Sequence, residues 1–304
     1  EIKATLNQAQ SDSKELEKEM NSIEKMLTEK KNLDWNDQQK IKEMLDKKQA
    51  ILDQIKKTIE KNKEKNVKEN EFNPIEEELL EKQKKLEKIM EEVLDEKTKA
   101  LLDKIKQLME ENKKDELQNA LQDLKFDENQ MNKEMDRLLE LYKELELEKK
   151  RNETINKIND LAKKQKELAQ KTKDKKEPNT ASDQQKLNQS YKDAEKDLED
   201  IREKNQALEN PMDIDDHRKE EESIDQKMQD ALSKEQKGKS KDASQDMNDA
   251  AQQLQELAEK MQQEMDEDTE DKQGENYQTL RQILENLIQL SFDQESLMED
   301  FKKN

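Results

Sequence analysis

Ile2, Leu6, Ala9, Ser13, Leu16, Met20, Ile23 and Leu27 step along the chain by 4, 3, 4, 3, 4, 3 and 4 residues. This spacing puts one side chain in every 3.5 on a single helix face. It fits a seam between supercoiled helices and no strand, because strand side chains alternate with a period of two. Ser13 is the one polar intruder. A helix with such a stripe needs a partner.

Composition agrees once two opposing rules are weighed. Leu, Ile, Val and Phe make 56 of 304 residues, about 18%, a level at which disorder competes if net charge is high. Ala, Glu, Lys, Leu and Arg make 155 of 304, the composition of long helices and coiled coils when a 3.5 period accompanies it. The net charge of −20 is what remains of 78 acidic and 58 basic residues, so self-repulsion is weak. A hydrophobic content of 29% is too low for a thick core, whereas a seam needs only about two apolar residues in seven. Two glycines, three prolines and two valines leave no basis for a sheet. The expected fold is all-α, built of elongated antiparallel hairpins in a coiled-coil bundle.

Further seams follow. Asp34, with Asp37 three residues on, reads as an N-cap with an acidic first turn, and a helix then runs on Ile41, Leu45, Lys48, Leu52, Ile55 and Ile59, fading over 60–70. Asn73-Pro74 restarts the chain with Pro at the first helical position, and Ile75, Leu79, Leu86, Ile89 and Val93 lead on to Leu101, Ile105 and Leu108. Residues 112–116 read as a turn before a short helix on Leu117, Leu121 and Leu124. "FDENQ" reads as a new start, with Asp127 and Gln130 in capping-box spacing, for a seam of Met131, Met135, Leu138, Tyr142 and Leu145 that runs on to Leu168. The polar stretch 171–183 is the best domain or hairpin boundary. It gives a first bundle region at 1–172, a polar linker or turn at 173–182, and an acidic second region at 183–304.

That second region opens on Leu187, Tyr191, Ala194, Leu198, Ile201, Asn205 and Leu208, where Asn205 at a seam position favours one register. Helices on Ile224, Met228 and Leu232, then on Ala243, Met247, Ala250, Leu254, Leu257 and Met261, flank a "KGKSK" turn, and 266–276 reads as a loop. Residues 280–304 are the most apolar stretch and stop without a cap, so the chain is expected to be a fragment truncated at its C-terminus. Connections this short imply antiparallel neighbours.

No reaction chemistry assembles from these residues. Without cysteine there is no disulfide, thiolate nucleophile or cysteine-ligated metal. His217 beside Asp213, Asp215 and Asp216 invites a metal reading, but a di-iron bundle needs Glu-x-x-His twice and the chain has one His. A solvated helix start is the expectation there. The acidic run at Asp266, Asp268, Glu270 and Asp271 lacks the Gly and the bidentate Glu of a calcium loop. No Gly-rich phosphate loop or Ser-His-Asp set exists. Residues 212–304 hold 26 acids and 12 bases, which repels phosphate, so no nucleic-acid partner is expected. No apolar run reaches the roughly 18 residues of a membrane span, so direct membrane insertion by this segment is not expected. Trp35 reads as an aromatic packed at a helix turn, and the seam methionines as adaptable core. No catalytic, cofactor-binding or metal-binding residue is assigned, and no cofactor.

"LDWNDQQKIKEML" (33–45), "NEFNPIEEELLEKQKKLEKIMEEVLDEKTKALL" (70–102), "MDRLLELYKELELEKK" (135–150) and "LRQILENLIQLSFDQESLMEDFKK" (280–303) resemble the middle of large Bacteroidota envelope proteins classed as domain of unknown function 4175. The resemblance implies an N-terminal membrane-spanning region outside this segment, a periplasmic helical region and further sequence beyond Asn304. It supplies no catalytic residues. The expected function is a non-catalytic helical scaffold docking other envelope proteins, or a second copy, along its helix faces. The alternatives are a homodimeric cytoskeletal or motor-type coiled coil, and an enzyme or metal-binding bundle.

Overall fold

The computed structural model describes the backbone of residues 2–30, 32–72, 77–92, 96–174 and 179–268, and the side chains of these except 69–72, 77–79, 89–92, 96 and 97. The fold is all-α. In chain order the helices are α1 (Ile2–Glu29), α2 (Trp35–Phe72), α3 (Glu77–Glu92), α4 (Glu96–Glu110), α5 (Lys114–Asp174), α6 (Thr180–Gln206) and α7 (Arg218–Gln236). Residues 240–268, here α8, are helical to the last described residue. The helix at Pro74, the loop from 269 and the apolar stretch 280–304 lie outside the described residues.

The chain divides into two compact units, Glu1–Leu147 and Glu148–Asn304. The division therefore falls inside α5 and not at the polar segment 173–182, which instead belongs to the connection between α5 and α6 within the second unit. A polar, Pro-containing stretch marks a reversal of the chain as readily as a domain linker, and here it is a reversal.

In the first unit α1 and α2 form an antiparallel hairpin, with Lys47 bonded to Glu19 and Gln54 donating to the Thr5 carbonyl at 3.4 Å. α3 and then α4 return beside α2, where Asn66 donates to Glu87 at 2.9 Å. α5 runs antiparallel to both α4, through Thr98 to Asp127 at 2.7 Å, and α1, through Lys125 to Glu24 at 2.7 Å. The result is an up-and-down four-helix bundle whose third position is shared by two short helices. Its core is the set of seams read from the sequence. All eight α1 seam residues from Ile2 to Leu27 are buried, and Ile41, Leu45, Leu52, Ile55 and Ile59 face them from α2. Each fully buried Leu or Ile contributes about 1.5–3 kcal/mol. The α2 seam does not fade after residue 60. It turns polar, with Asn62 and Asn66 buried.

The second unit is also four antiparallel helices. Gln165 and Gln184 pair α5 with α6, Asn188 donates from α6 to the Met228 carbonyl of α7 at 3.2 Å, Lys227 on α7 reaches Asp249 of α8 at 3.0 Å, and Ser244 on α8 donates to the Ala169 carbonyl of α5 at 2.8 Å. Leu168, Ala169, Ala231, Ala243 and Met247 form one buried cluster of α5, α7 and α8, with Leu187 of α6 packed against it.

Helix ends follow local chemistry. Asp34 and Asp37 cap α2 reciprocally: the Asp37 amide donates to the Asp34 carboxylate at 2.9 Å and the Asp34 amide to the Asp37 carboxylate at 3.1 Å. Lys30 bridges both carboxylates. α4 ends on Asn112 at φ 55°, and α7 on Gly238 at φ 72°. Both ends are Schellman motifs, with Lys113 donating to Leu108 at 3.0 Å and Lys239 to Lys234 at 2.9 Å.

α5 is continuous, so the helix start expected at Asp127 does not occur. Asp127 accepts from Thr98 and caps nothing. Nothing in "FDENQ" breaks a helix, and the seam passes through it: Leu121, Leu124, Glu128, Met131 and Met135 step by 3, 4, 3 and 4, and all are buried. Between Tyr142 and Arg151 the buried positions are Tyr142, Leu145, Leu147, Glu148 and Arg151, so the regular alternation of 4 and 3 lapses there.

Candidate functional site

The polar residues inside the bundles are the candidate functional features. In the first unit Ser13 of α1, Lys48 of α2 and Glu128 of α5 each occupy a seam position and each is fully buried. They meet. The Ser13 hydroxyl donates to one oxygen of Glu128 and the Lys48 ammonium to the other, and Lys48 also lies 3.1 Å from the Met131 sulfur. A buried carboxylate with both oxygens engaged and an opposite charge beside it avoids the several kcal/mol that an unpaired buried ion costs. Sequence reading placed Ser13 and Lys48 in seams but not Glu128, because "FDENQ" passed for a helix start. Continuing the 4–3 steps from Leu124 would have found it.

The second unit holds two polar assemblies. Gln165, Gln184 and Asn188 form a buried amide chain, with contacts of 2.7 Å from Gln165 to Gln184 and 2.8 Å from Gln184 to Asn188. Arg151, only 1% exposed, donates through Nη1 to Asp268 at 2.5 Å, and its Nη2 lies 3.7 Å from Glu264. Glu264 also meets His217 Nε2 at 2.7 Å. His217 is buried at the N-cap of α7 and is not the solvated residue expected from its acidic flank. The hydrogen bond to Glu264 holds its pKa above the usual imidazole value, against the opposing effect of burial, with Glu220 and Asp215 adding to the rise.

Around these lie further cross-helix pairs. Arg202 grips Glu221 through two bonds of 2.7 and 3.3 Å. Asp197 is partly buried, which lifts its pKa, yet bonds from Lys150 and Lys157 outweigh that and hold it below the usual carboxylate value. The Tyr191 hydroxyl, bonded to the Glu221 carbonyl at 3.0 Å, is pushed up by burial. Asn205 is not a register-setting seam residue. α6 ends at Gln206, and the Asn205 amide holds the following loop by bonding both the amide and the carbonyl of Met212, at 2.7 and 2.9 Å.

Asp266 and Asp268 lie in α8 and not in a loop. Among the described residues no group of three or more His, Cys, Asp or Glu side chains is placed to hold a metal ion, and no helix is long and apolar enough to cross a membrane. Trp35 is 70% exposed and Phe126 68% exposed, so Trp35 does not pack at the helix turn as expected. Its side chain follows the reciprocal Asp34–Asp37 cap, which already fixes the turn.

No protein-family model matches this chain, and no curated protein or solved structure is significantly similar to it.

Proposed function

We propose that the chain is a non-catalytic helical scaffold, the periplasmic middle region of a membrane-anchored envelope protein of the family it resembles. One observation carries the reading. Among the described residues the charged groups deepest inside the two units pair with each other across helices, Lys48 with Glu128 and Arg151 with Glu264 and Asp268. Groups kept for catalysis face a pocket where a substrate can reach them. Groups bonded across a seam fix which helices pair and at what height.

Under this reading partners dock on the outer helix faces, and among the described residues the exposed Trp35 and Phe126 are the side chains with most apolar area to offer. The rival reading is a parallel homodimeric coiled coil. It is less well supported, because the seams of α1 and α2 are covered from within one chain. The test is crosslinking and affinity purification of the full-length protein from its native membrane. Recovery of envelope proteins crosslinked through these helices supports the scaffold. Recovery of nothing but a parallel second copy, crosslinked α1 to α1, overturns it.

A further inference from the structure

Two lysine runs far apart in sequence meet at one end of the second unit. Lys171 and Lys173 lie in the last turn of α5, and Lys237, Lys239 and Lys241 surround the turn from α7 to α8; all five are exposed. Antiparallel packing brings them together. Thr180 at the start of α6 donates to Glu235 at the end of α7 at 2.6 Å, and Ser244 near the start of α8 donates to the Ala169 carbonyl near the end of α5 at 2.8 Å. Among the described residues four acids share this end: Glu235, engaged by Thr180, Asp174, which accepts from Gln170 at 3.4 Å, Asp183 in the first turn of α6, held by Lys186 at 2.9 Å, and the exposed Asp242, against the five lysines and Lys234 in the last turn of α7. Positive charge is therefore in excess. At the other end Glu209, Asp213, Asp215 and Asp216 lie between α6 and α7, and Asp266 and Glu267 lie in the last described turn of α8.

We infer that the lysine-bearing end of this unit docks on an anionic lipid surface, held by charge without insertion. The shape of the charge distribution selects that partner. α7 has 19 residues, so the two ends stand about 28 Å apart at 1.5 Å per residue. That exceeds three screening lengths of about 8 Å at physiological salt. A flat anionic sheet touching the basic end hardly feels the acidic one. A nucleic acid long enough to gain affinity would instead run along the acidic flanks, and the two turns offer no aromatic side chain on which a base could stack. "KGKSK" also carries no apolar residue to enter a bilayer, so attraction comes from lysines near headgroups alone and falls with salt. The inference rests on this charge geometry and not on the scaffold reading.

The test is cosedimentation of the whole chain with phosphatidylcholine vesicles, with and without phosphatidylglycerol at about 30%. Binding is expected only to the anionic vesicles, and it is expected to disappear at about 0.5 M salt. The triple variant Lys237→Glu, Lys239→Glu, Lys241→Glu should bind at least about tenfold more weakly, and its Gln counterpart should fall in the same direction by less. A control with Lys18→Glu, Lys25→Glu and Lys42→Glu has the same net charge and should bind like the parent. Circular dichroism melting shows whether each variant keeps the parent fold; if the Glu triple does not, the Gln triple carries the test. Failure to bind anionic vesicles overturns the inference, as does equal weakening by the control, or tighter binding to a duplex oligonucleotide or to polyglutamate than to the vesicles.

Discussion

Lys48 of α2 and Glu128 of α5, 80 residues apart in sequence, form an ion pair in which both side chains are fully buried. The low polarity around them strengthens their attraction and makes either one alone expensive. Ser13 completes the site by engaging the second carboxylate oxygen.

Removing one partner of this pair leaves the other as an uncompensated charge. Lys48→Met or Glu128→Leu alone should lower stability by about 3–5 kcal/mol. The double variant should regain most of that loss or exceed the parent, because a well-packed apolar pair needs no desolvation. Urea unfolding midpoints decide it; a double variant no more stable than the weaker single shows that the two charges do not depend on each other.

Stability near neutral pH should report on His217. It is the only histidine, and there is no cysteine. Its folded pKa is raised by Glu264, so folding favours the proton. The stabilisation is complete below the unfolded value of about 6.5 and fades as pH rises through the higher folded one. The thermal midpoint should fall between about pH 6 and pH 9, and less so in His217→Gln. The α-amino group titrates in the same window but is common to both proteins. Parallel pH curves for the two would show that His217 gains nothing from Glu264.

Gly238 tests the α7 terminus. At φ 72°, with nothing within 4 Å of where a Cβ would stand, Gly238→Ala brings backbone strain and no clash. The expected loss is about 1–2 kcal/mol. Asn112→Gly at the equivalent position of α4 should be nearly neutral, since Asn and Gly both tolerate the left-handed region. A Gly238→Ala midpoint equal to that of the parent means that the turn does not hold this geometry in solution.

Trp35, the single tryptophan, gives an independent probe. At 70% exposure its fluorescence should be quenched by acrylamide nearly as efficiently as that of free tryptophan. Trp35→Ala should change stability by less than about 0.5 kcal/mol. Strong protection from quencher in the isolated chain would mean that the indole is already covered, and with it part of the surface proposed for partners.

The seams were the most legible part of the fold. All eight α1 positions and the six of α8 from Ala243 to Met261 are buried as their spacing predicts, because in narrow bundles period alone fixes the inward face. The polar members of the seams were read less well. Lys48 stands among apolar neighbours and reads as a seam residue, but Glu128, in a run of polar residues, reads as an interruption, and Asn62 and Asn66 read as the end of a seam. Periodicity scored on apolar residues alone is blind to a charge buried against its partner 80 positions away. The same blindness hides Arg151 and the burial of His217, because Glu264 and Asp268 lie on a helix that returns to Arg151 only after three reversals of the chain, and Glu264 reaches His217 after one. The division of the chain is not legible in the sequence, because a polar stretch signals a turn without saying what the turn separates, and the change of step after Leu145 is carried partly by Glu148 and Arg151, charged residues whose burial the apolar pattern does not show.

The apolar seam taken alone repeats itself. Seven residues to either side of Ser13 are Leu6 and Met20, to either side of Lys48 are Ile41 and Ile55, and to either side of Glu128 are Leu121 and Met135, all buried. A helix displaced along its axis by one heptad, about 10.5 Å, would find apolar neighbours almost as good as before. Ser13, Lys48 and Glu128 remove that degeneracy, since any such displacement leaves a charge facing a methionine or an aliphatic side chain. These three helices are therefore locked in one register: a slip of a heptad between any two of them buries an unpaired polar group, so the alternative pairings that the apolar seam alone would tolerate are closed to the first unit.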